Sequence, residues 1–139
     1  MVQIAVTGNM GCGKTTICQL MENEGVPVYY SDSRAKQLMN KNESLMDSIK
    51  ERFGEESYHD GLLNRKWIAS IVFDDATALN DLNNLVHPVV QKDYLNWVSQ
   101  QTKDIVAYES AILIEHGNQG NFDAVLLVQC PDNIRFERI

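Results

Sequence analysis

Cysteine is scarce and patternless in this chain. Cys12, Cys18 and Cys130 are odd in number and follow no disulfide or zinc-ligand spacing. That excludes a disulfide-stapled scaffold and leaves a reducing, cytoplasmic compartment as the expectation. No apolar stretch reaches the roughly 18 residues of a membrane span. The start Met1-Val2-Gln3 has no basic n-region, so no signal peptide is expected. Basic residues are few: 12 Lys and Arg against 19 Asp and Glu, a net charge of −7. Such a balance gives no global attraction to nucleic acid or to an acidic membrane, and neither is expected as a partner. Internal repeats, low-complexity tracts and Pro/Gly/Ser-rich linkers are all missing. The 139 residues therefore read as one domain, 1–139, long enough for a sizeable core. The three histidines and three cysteines form no recognisable ligand cluster.

What is present starts early. Gly8-Asn9-Met10-Gly11-Cys12-Gly13-Lys14-Thr15 is a complete G-x-x-x-x-G-K-[ST] string. It follows the apolar run Val2 to Val6 and opens onto a helical pattern from Lys14 to Glu24. Strand, glycine loop and helix start are the context that nucleotide phosphates need. Backbone amides along the loop can wrap an anion, Lys14 can reach the β- and γ-phosphates, and the Thr15 hydroxyl can ligate Mg²⁺. Gly8, Asn9, Met10, Gly11, Cys12, Gly13, Lys14, Thr15 and Thr16 are the candidate ATP-phosphate contacts. An acidic protein that binds an anionic nucleotide must concentrate its positive groups locally.

Four short apolar runs read as strands: Val2–Thr7, Val26–Tyr30, Ile105–Tyr108 and Ala124–Val128. Near-continuous apolar runs suit a parallel sheet covered on both faces. Between them lie helical patterns. Ile17, Leu20 and Met21 share a face, with Gly25 as a stop. Ser31 or Asp32 is expected to cap a helix through Met39, and a second helix covers Glu43–Phe53. Gly54–Gly61 reads as a polar loop. Asn64 caps Arg65–Phe73, a helix covers Thr77–Val86, and His87-Pro88 starts another to Gln101. The fold class is thus α/β, a three-layer P-loop fold: a parallel sheet with helices on both faces and a helical insertion, about 33–101, between strands 2 and 3. Ligands belong at the carboxyl ends of the strands, where Gly8–Thr15, Asp32 and Glu109 fall. Asp132 to Ile139 begins a helix with no stop signal. The chain reads as cut there, with Val125–Val128 left as an edge strand.

Asp32 follows the second strand. A carboxylate there can orient an acceptor hydroxyl and take its proton as the γ-phosphoryl leaves ATP, or it can serve as a helix cap. Glu109 ends the third strand, near Mg²⁺ or its water shell in such folds, or as a solvated loop carboxylate. Glu115 reads as a helix or loop charge. His87 reads as a structural histidine, and His59 and His116 as solvent-facing. Arg65 and Arg34 could meet substrate phosphates, although Arg34 reads more naturally as surface charge. Cys12 offers its backbone to phosphate. The stripe Trp67, Ile68, Ile71, Val72 reads as core.

Together these segments resemble the dephospho-CoA kinase family. Five stretches carry the likeness, in the family's order: Val6 to Thr15, Val26 to Asp32, Leu63-Asn64-Arg65 through Phe73, Leu82-Asn83-Asn84-Leu85-Val86-His87-Pro88, and Glu109-Ser110-Ala111-Ile112-Leu113-Ile114-Glu115. Two departures stand out: Ala111 replaces the fifth segment's usual proline, and Asn9-Met10-Gly11-Cys12 replaces the common Gly-Ile-Gly-Ser. The resemblance implies transfer of the γ-phosphoryl of ATP to the ribose 3′-hydroxyl of dephospho-CoA, the last step of CoA biosynthesis, with Mg²⁺. It implies Asp32 and Lys14 as catalytic residues, Thr15 on the metal, and Arg65, His87 and Glu109 about the acceptor. It also implies an arginine-bearing lid and a last strand that these 139 residues do not contain, which would leave this chain weakly active or inactive. Two alternatives stay open: another small-molecule P-loop kinase, of nucleoside monophosphate or shikimate type, and a nucleotide-binding segment without catalysis.

Overall fold

The fold is a computed structural model that describes residues 1–8, 13–111 and 122–128. Chain contacts separate two units: Met1–Asp32 together with the chain from Trp97 onward, and Ser33–Asn96.

The first unit is built on β1 (Val2–Gly8), α1 (Lys14–Asn23) and β2 (Val28–Tyr30). Its sheet is completed by β5 (Ile105–Glu109) and β6 (Ala124–Val128), in the order β2-β5-β1-β6, with every pairing parallel. The four strands match the four apolar runs. β2 starts two residues later than its run, because Val26 donates its N–H back to the Met21 carbonyl. Pro27 has no N–H, but its carbonyl still accepts from Ala107.

Alternation sorts the side chains. Ile4, Val6, Val28, Tyr30, Ala107 and Val128 meet Ile17, Cys18 and Met21 of α1 in one core. On the opposite face the Tyr29 ring stacks on Tyr108 at 5.5 Å and meets Trp97, near the end of the helix that precedes β5, edge-on at 5.4 Å. Helical residues thus cover both faces of this sheet. β6 is an edge of it among the described residues, and Val125, Leu126 and Leu127 are exposed along that edge.

The second unit holds most of α2 (Ser31–Lys41), α3 (Glu43–Phe53), the hairpin β3 (Tyr58–His59) and β4 (Leu62–Leu63), α4 (Arg65–Val72), and α5 (Ala76–Ser99) as far as Asn96. Asn42 and Asn64 cap α3 and α4, accepting from Leu45 and Trp67 N–H. The Trp67 indole N–H donates to the Phe53 carbonyl at 2.8 Å, tying α4 to the end of α3. The Tyr58 hydroxyl, on β3, donates to the Met39 carbonyl at 2.6 Å, and the Leu63 N–H, on β4, donates to Asn40 Oδ1 at 2.8 Å. Both bonds fix the hairpin to the end of α2.

Three expectations are corrected. Gly54–Gly61 is not simply a polar loop: a 3-10 turn over Glu55–Ser57 leads into β3, and Asp60-Gly61 closes the hairpin to β4. Asp60 and Gly61 have φ of 53° and 80°, the two positive values that a type I′ turn requires. Thr77–Val86 and the helix from His87 are one continuous helix, α5, with Pro88 inside it. The hydrogen bond Pro88 cannot donate would go to Asn84, and both residues are exposed, so water can satisfy that carbonyl. The stripe Ala78, Val86, Val90, Tyr94 stays buried through the proline and keeps the helix whole. Finally, Ser31 and Asp32 are the first two residues of α2 rather than a cap preceding it.

Gly8 is where the sheet constrains the glycine loop most. A Cβ built there would run into the Val128 carbonyl oxygen of β6. Gly8→Ala should therefore cost about 1–3 kcal/mol, the scale of overpacking a tight contact. Urea denaturation of the variant checks this, and unchanged stability would show that β6 gives way freely.

Candidate functional site

Parallel register brings the site residues level. Val6 of β1 and Tyr30 of β2 both pair with Glu109 of β5. The chain leaves all three strands within a few residues, at the same edge of the sheet: β1 into the glycine loop, β2 into α2, and β5 toward Ser110.

Gly13 sits in the left-handed region, φ 84°, and its carbonyl accepts the first bond of α1, from Ile17 N–H at 3.1 Å. A Cβ is disfavoured in that conformation, which explains the glycine before the lysine. Lys14, Thr15 and Thr16 then form the first turn of α1, where amides have no intrahelical acceptor and no acidic side chain intrudes. The Thr15 and Thr16 side chains are exposed. Asn9, Met10, Gly11 and Cys12 lie outside the described residues.

Lys14 is not free in this arrangement. Its Nζ contacts Glu109 Oε1 at 2.8 Å, with the two side chains 13% and 11% exposed. Glu109 faces α1, because it follows Ala107 by two residues on the strand face that packs there. Beneath the pair lies Cys18, fully buried, whose thiol is pushed up to about 11, first by burial and then by the Glu109 charge; Lys14 opposes the shift. The Tyr30 hydroxyl donates to Glu22 and is likewise driven upward by burial and that carboxylate.

Asp32 is exposed in the first turn of α2, one residue after the buried Ser31. The Ser31 side chain hydrogen-bonds the Tyr108 hydroxyl on the neighbouring strand. Burial raises the Tyr108 phenol; the Ser31 bond opposes the shift, and the negative charges of Asp32 and Glu109 add to it. Lys14, Glu109 and Asp32 therefore belong to one neighbourhood of the first unit. Arg65 and His87 lie in the second unit, Arg65 exposed as the first residue of α4 and His87 half-buried in α5. Arg34 is engaged with Asp93 at 3.3 Å, within the second unit. Glu115, His116, Cys130 and the expected helix after Asp132 lie outside the described residues.

Sequence reasoning missed Ser31 as more than a cap, and passed over Tyr108. The available signal was the tyrosine that interrupts an aliphatic strand directly before Glu109.

No set of three or more His, Cys, Asp or Glu side chains converges as a metal cage among the described residues. Thr15 and Glu109 supply only oxygen donors. That fits a hard cation such as Mg²⁺, which keeps waters and substrate phosphates as its remaining ligands. No helix among the described residues is long and apolar enough to cross a membrane.

Known proteins resemble this chain over nearly its whole length. The family model described as dephospho-CoA kinase matches residues 2–139. A dephospho-CoA kinase of Porphyromonas gingivalis is 36% identical over 138 residues, covering 99% of this chain and 68% of that protein. A crystal structure from Thermus thermophilus superposes with a TM-score of 0.86 at 32% identity, covering 99% of this chain and 70% of that one. A dephospho-CoA kinase structure from Campylobacter jejuni shares the fold, with a TM-score of 0.62 at 15% identity, covering 97% of this chain and 92% of that one.

Two expectations follow. Glu109→Gln removes the anion that competes with phosphate for Lys14, so Mg-free ATP should bind about tenfold tighter by calorimetry, the scale of one charged hydrogen bond. Weaker binding would show that Glu109 is not a competitor. The raised thiol of Cys18 means the folded state holds that proton more firmly than the unfolded chain, whose thiols titrate near 9. Its contribution is thus complete below pH 9 and is lost as pH rises toward about 11. Urea midpoints at pH 8 and 10.5 should fall on going alkaline, and Cys18→Ala should flatten that fall.

Proposed function

The chain belongs to the dephospho-CoA kinase family of phosphotransferases, and from that premise we propose that it moves the γ-phosphoryl of ATP to the ribose 3′-hydroxyl of dephospho-CoA, in the cytoplasm and with Mg²⁺. The observation that supports this most directly is the register that sets Lys14, Glu109 and Asp32 at one edge of the sheet.

The triphosphate enters over Gly13 and the first turn of α1, where the amides supply donors. Lys14 leaves Glu109 and takes up the β- and γ-oxygens, exchanging one anion for another within reach of the same ammonium. Thr15 would hold Mg²⁺, with the released Glu109 carboxylate beside its water shell. The ion, when bound, neutralises charge on the phosphate oxygens. Asp32 accepts a hydrogen bond from the acceptor's 3′-hydroxyl and takes its proton as that oxygen bonds to the γ-phosphorus. The bond from the γ-phosphorus to the β,γ-bridging oxygen breaks, and ADP leaves. Arg65 and His87, on the helical segment between β2 and β5, are assigned to the acceptor, where an arginine fork suits phosphate.

Asp32→Asn should lower turnover about 10²- to 10⁴-fold, the usual share of a general base, with Mg·ATP affinity near that of the parent. Near-parental turnover would remove Asp32 from this role. An acceptor panel tests the substrate: phosphorylation of shikimate or a nucleoside monophosphate, and none of dephospho-CoA, would overturn the assignment. Mg·ATP binding with no turnover on any acceptor would instead mark a nucleotide-holding segment.

A further inference from the structure

The base assigned above stands on an exposed first helical turn, and an exposed turn is a poor anchor for a carboxylate that must meet a hydroxyl to within a fraction of an ångström. Something must hold the junction of β2 and α2. The peptide there runs Tyr29-Tyr30-Ser31-Asp32, with β2 ending at Tyr30 and α2 starting at Ser31 without an intervening residue. Tyr29 pairs with Tyr108 across β2 and β5, so the two rings share a face. Ser31 lies two residues beyond Tyr29. The alternation of the strand carries it to the same face, just past the Tyr108 ring.

The two hydroxyls meet there in a side-chain hydrogen bond, and Ser31 is only 4% exposed. Tyr108 is itself held by two ring contacts. It stacks on the buried Tyr29 at 5.5 Å with the rings 10° apart, and meets Phe122 at 5.2 Å. Its hydroxyl is therefore a fixed point on β5, next to Glu109 in sequence and across from the start of α2.

We propose that Tyr108 is a positioning residue for phosphoryl transfer: by binding the Ser31 hydroxyl it fixes the β2–α2 junction and so the carboxylate of Asp32. This rests on Asp32 being the base. Two further facts agree. A tyrosine hydroxyl is protonated through the neutral pH range, and burial raises that of Tyr108 although the Ser31 bond opposes the shift, so the tie does not loosen there. The Asp32 charge also acts on that phenol, as it must if the carboxylate lies close by. Tyr108 touches no reacting atom. It acts through geometry, where a misplacement of about an ångström costs up to a hundredfold in rate.

The test is a double-mutant cycle in the purified enzyme, with Asp32→Asn run alongside. Tyr108→Phe keeps the ring stack and removes only the hydroxyl; Ser31→Ala removes the same bond from the other side, so failure of one variant to fold leaves the other to report. Each should lower kcat about tenfold to a hundredfold with the KM for ATP within about twofold of the parent, and the double variant should be no slower than the slower single one. A purely structural loss would lower the amount of active protein and leave the kcat of the folded fraction intact. Parental kcat in Tyr108→Phe with Asp32→Asn inactive, or losses that multiply in the double variant, would overturn the proposal. Parental turnover in Asp32→Asn would overturn the base assignment itself and this inference with it, a result distinguishable from the other two.

Discussion

The parallel register of β5 between β1 and β2 is the constraint on which the site depends. Pairing Val6 and Tyr30 with the same residue, Glu109, makes the three strands end together. A slip of one residue would turn Glu109 to the opposite face, away from α1 and Lys14, because strand side chains alternate. The core makes that slip costly: Val6, Ala107 and Val128 are buried on the α1 side together with Cys18, and Tyr29 is buried on the other. The chemistry at the edge of the sheet is thus specified by apolar packing beneath it, not by attraction between the charged groups themselves.

The Lys14–Glu109 pair then solves an electrostatic problem. A buried ammonium without a partner is costly, and so is a buried carboxylate. The Lys14 ammonium and the Glu109 carboxylate, 13% and 11% exposed, meet at 2.8 Å. Each supplies the other's counter-ion, and under the proposed function that pairing would compete with phosphate for Lys14. With each as the other's partner, neither the Lys14 ammonium nor the Glu109 carboxylate is left bare in this structure. Cys18 lies under the same pair: its thiol is raised first by burial and then by the Glu109 charge, while Lys14 lowers it.

How legible this was in the sequence depends on how local each signal is. Strand positions followed from apolar runs that span one element. The loop followed from spacing within eight residues, and the cap Asn64 from a side chain that bonds three residues ahead; Asn42 caps α3 in the same way without having been expected. The Asp60-Gly61 turn was equally local, yet its flanking strands are only two residues each, too short for an alternation to declare them. Pro88 misled for a different reason: its propensity argues for a boundary, while the buried stripe from Ala78 to Tyr94 carries the helix through. The partner of Lys14, 95 positions away in the chain, was not readable at all, since several carboxylates near the strand ends satisfy the same composition and only the register selects one. Arg34 shows the same limit. Its type suits a phosphate, and its position gives it to Asp93.

Gly8 links the loop to the least protected part of the sheet. β6 presents Val125, Leu126 and Leu127 exposed at an edge, and exposed apolar edges invite further pairing. At its far end, however, Val128 belongs to the α1 core, and its carbonyl fills the space beside Gly8 where a side chain would otherwise go. Whatever pairs with or displaces the outer edge of β6 therefore acts on the strand that walls the entry to the glycine loop. Lys14, six residues past Gly8, is anchored from the opposite direction through Glu109 on β5. Gly8 and Lys14 are thus held by two neighbours of β1: β5, an interior strand with both edges paired, and β6, an edge strand among the described residues.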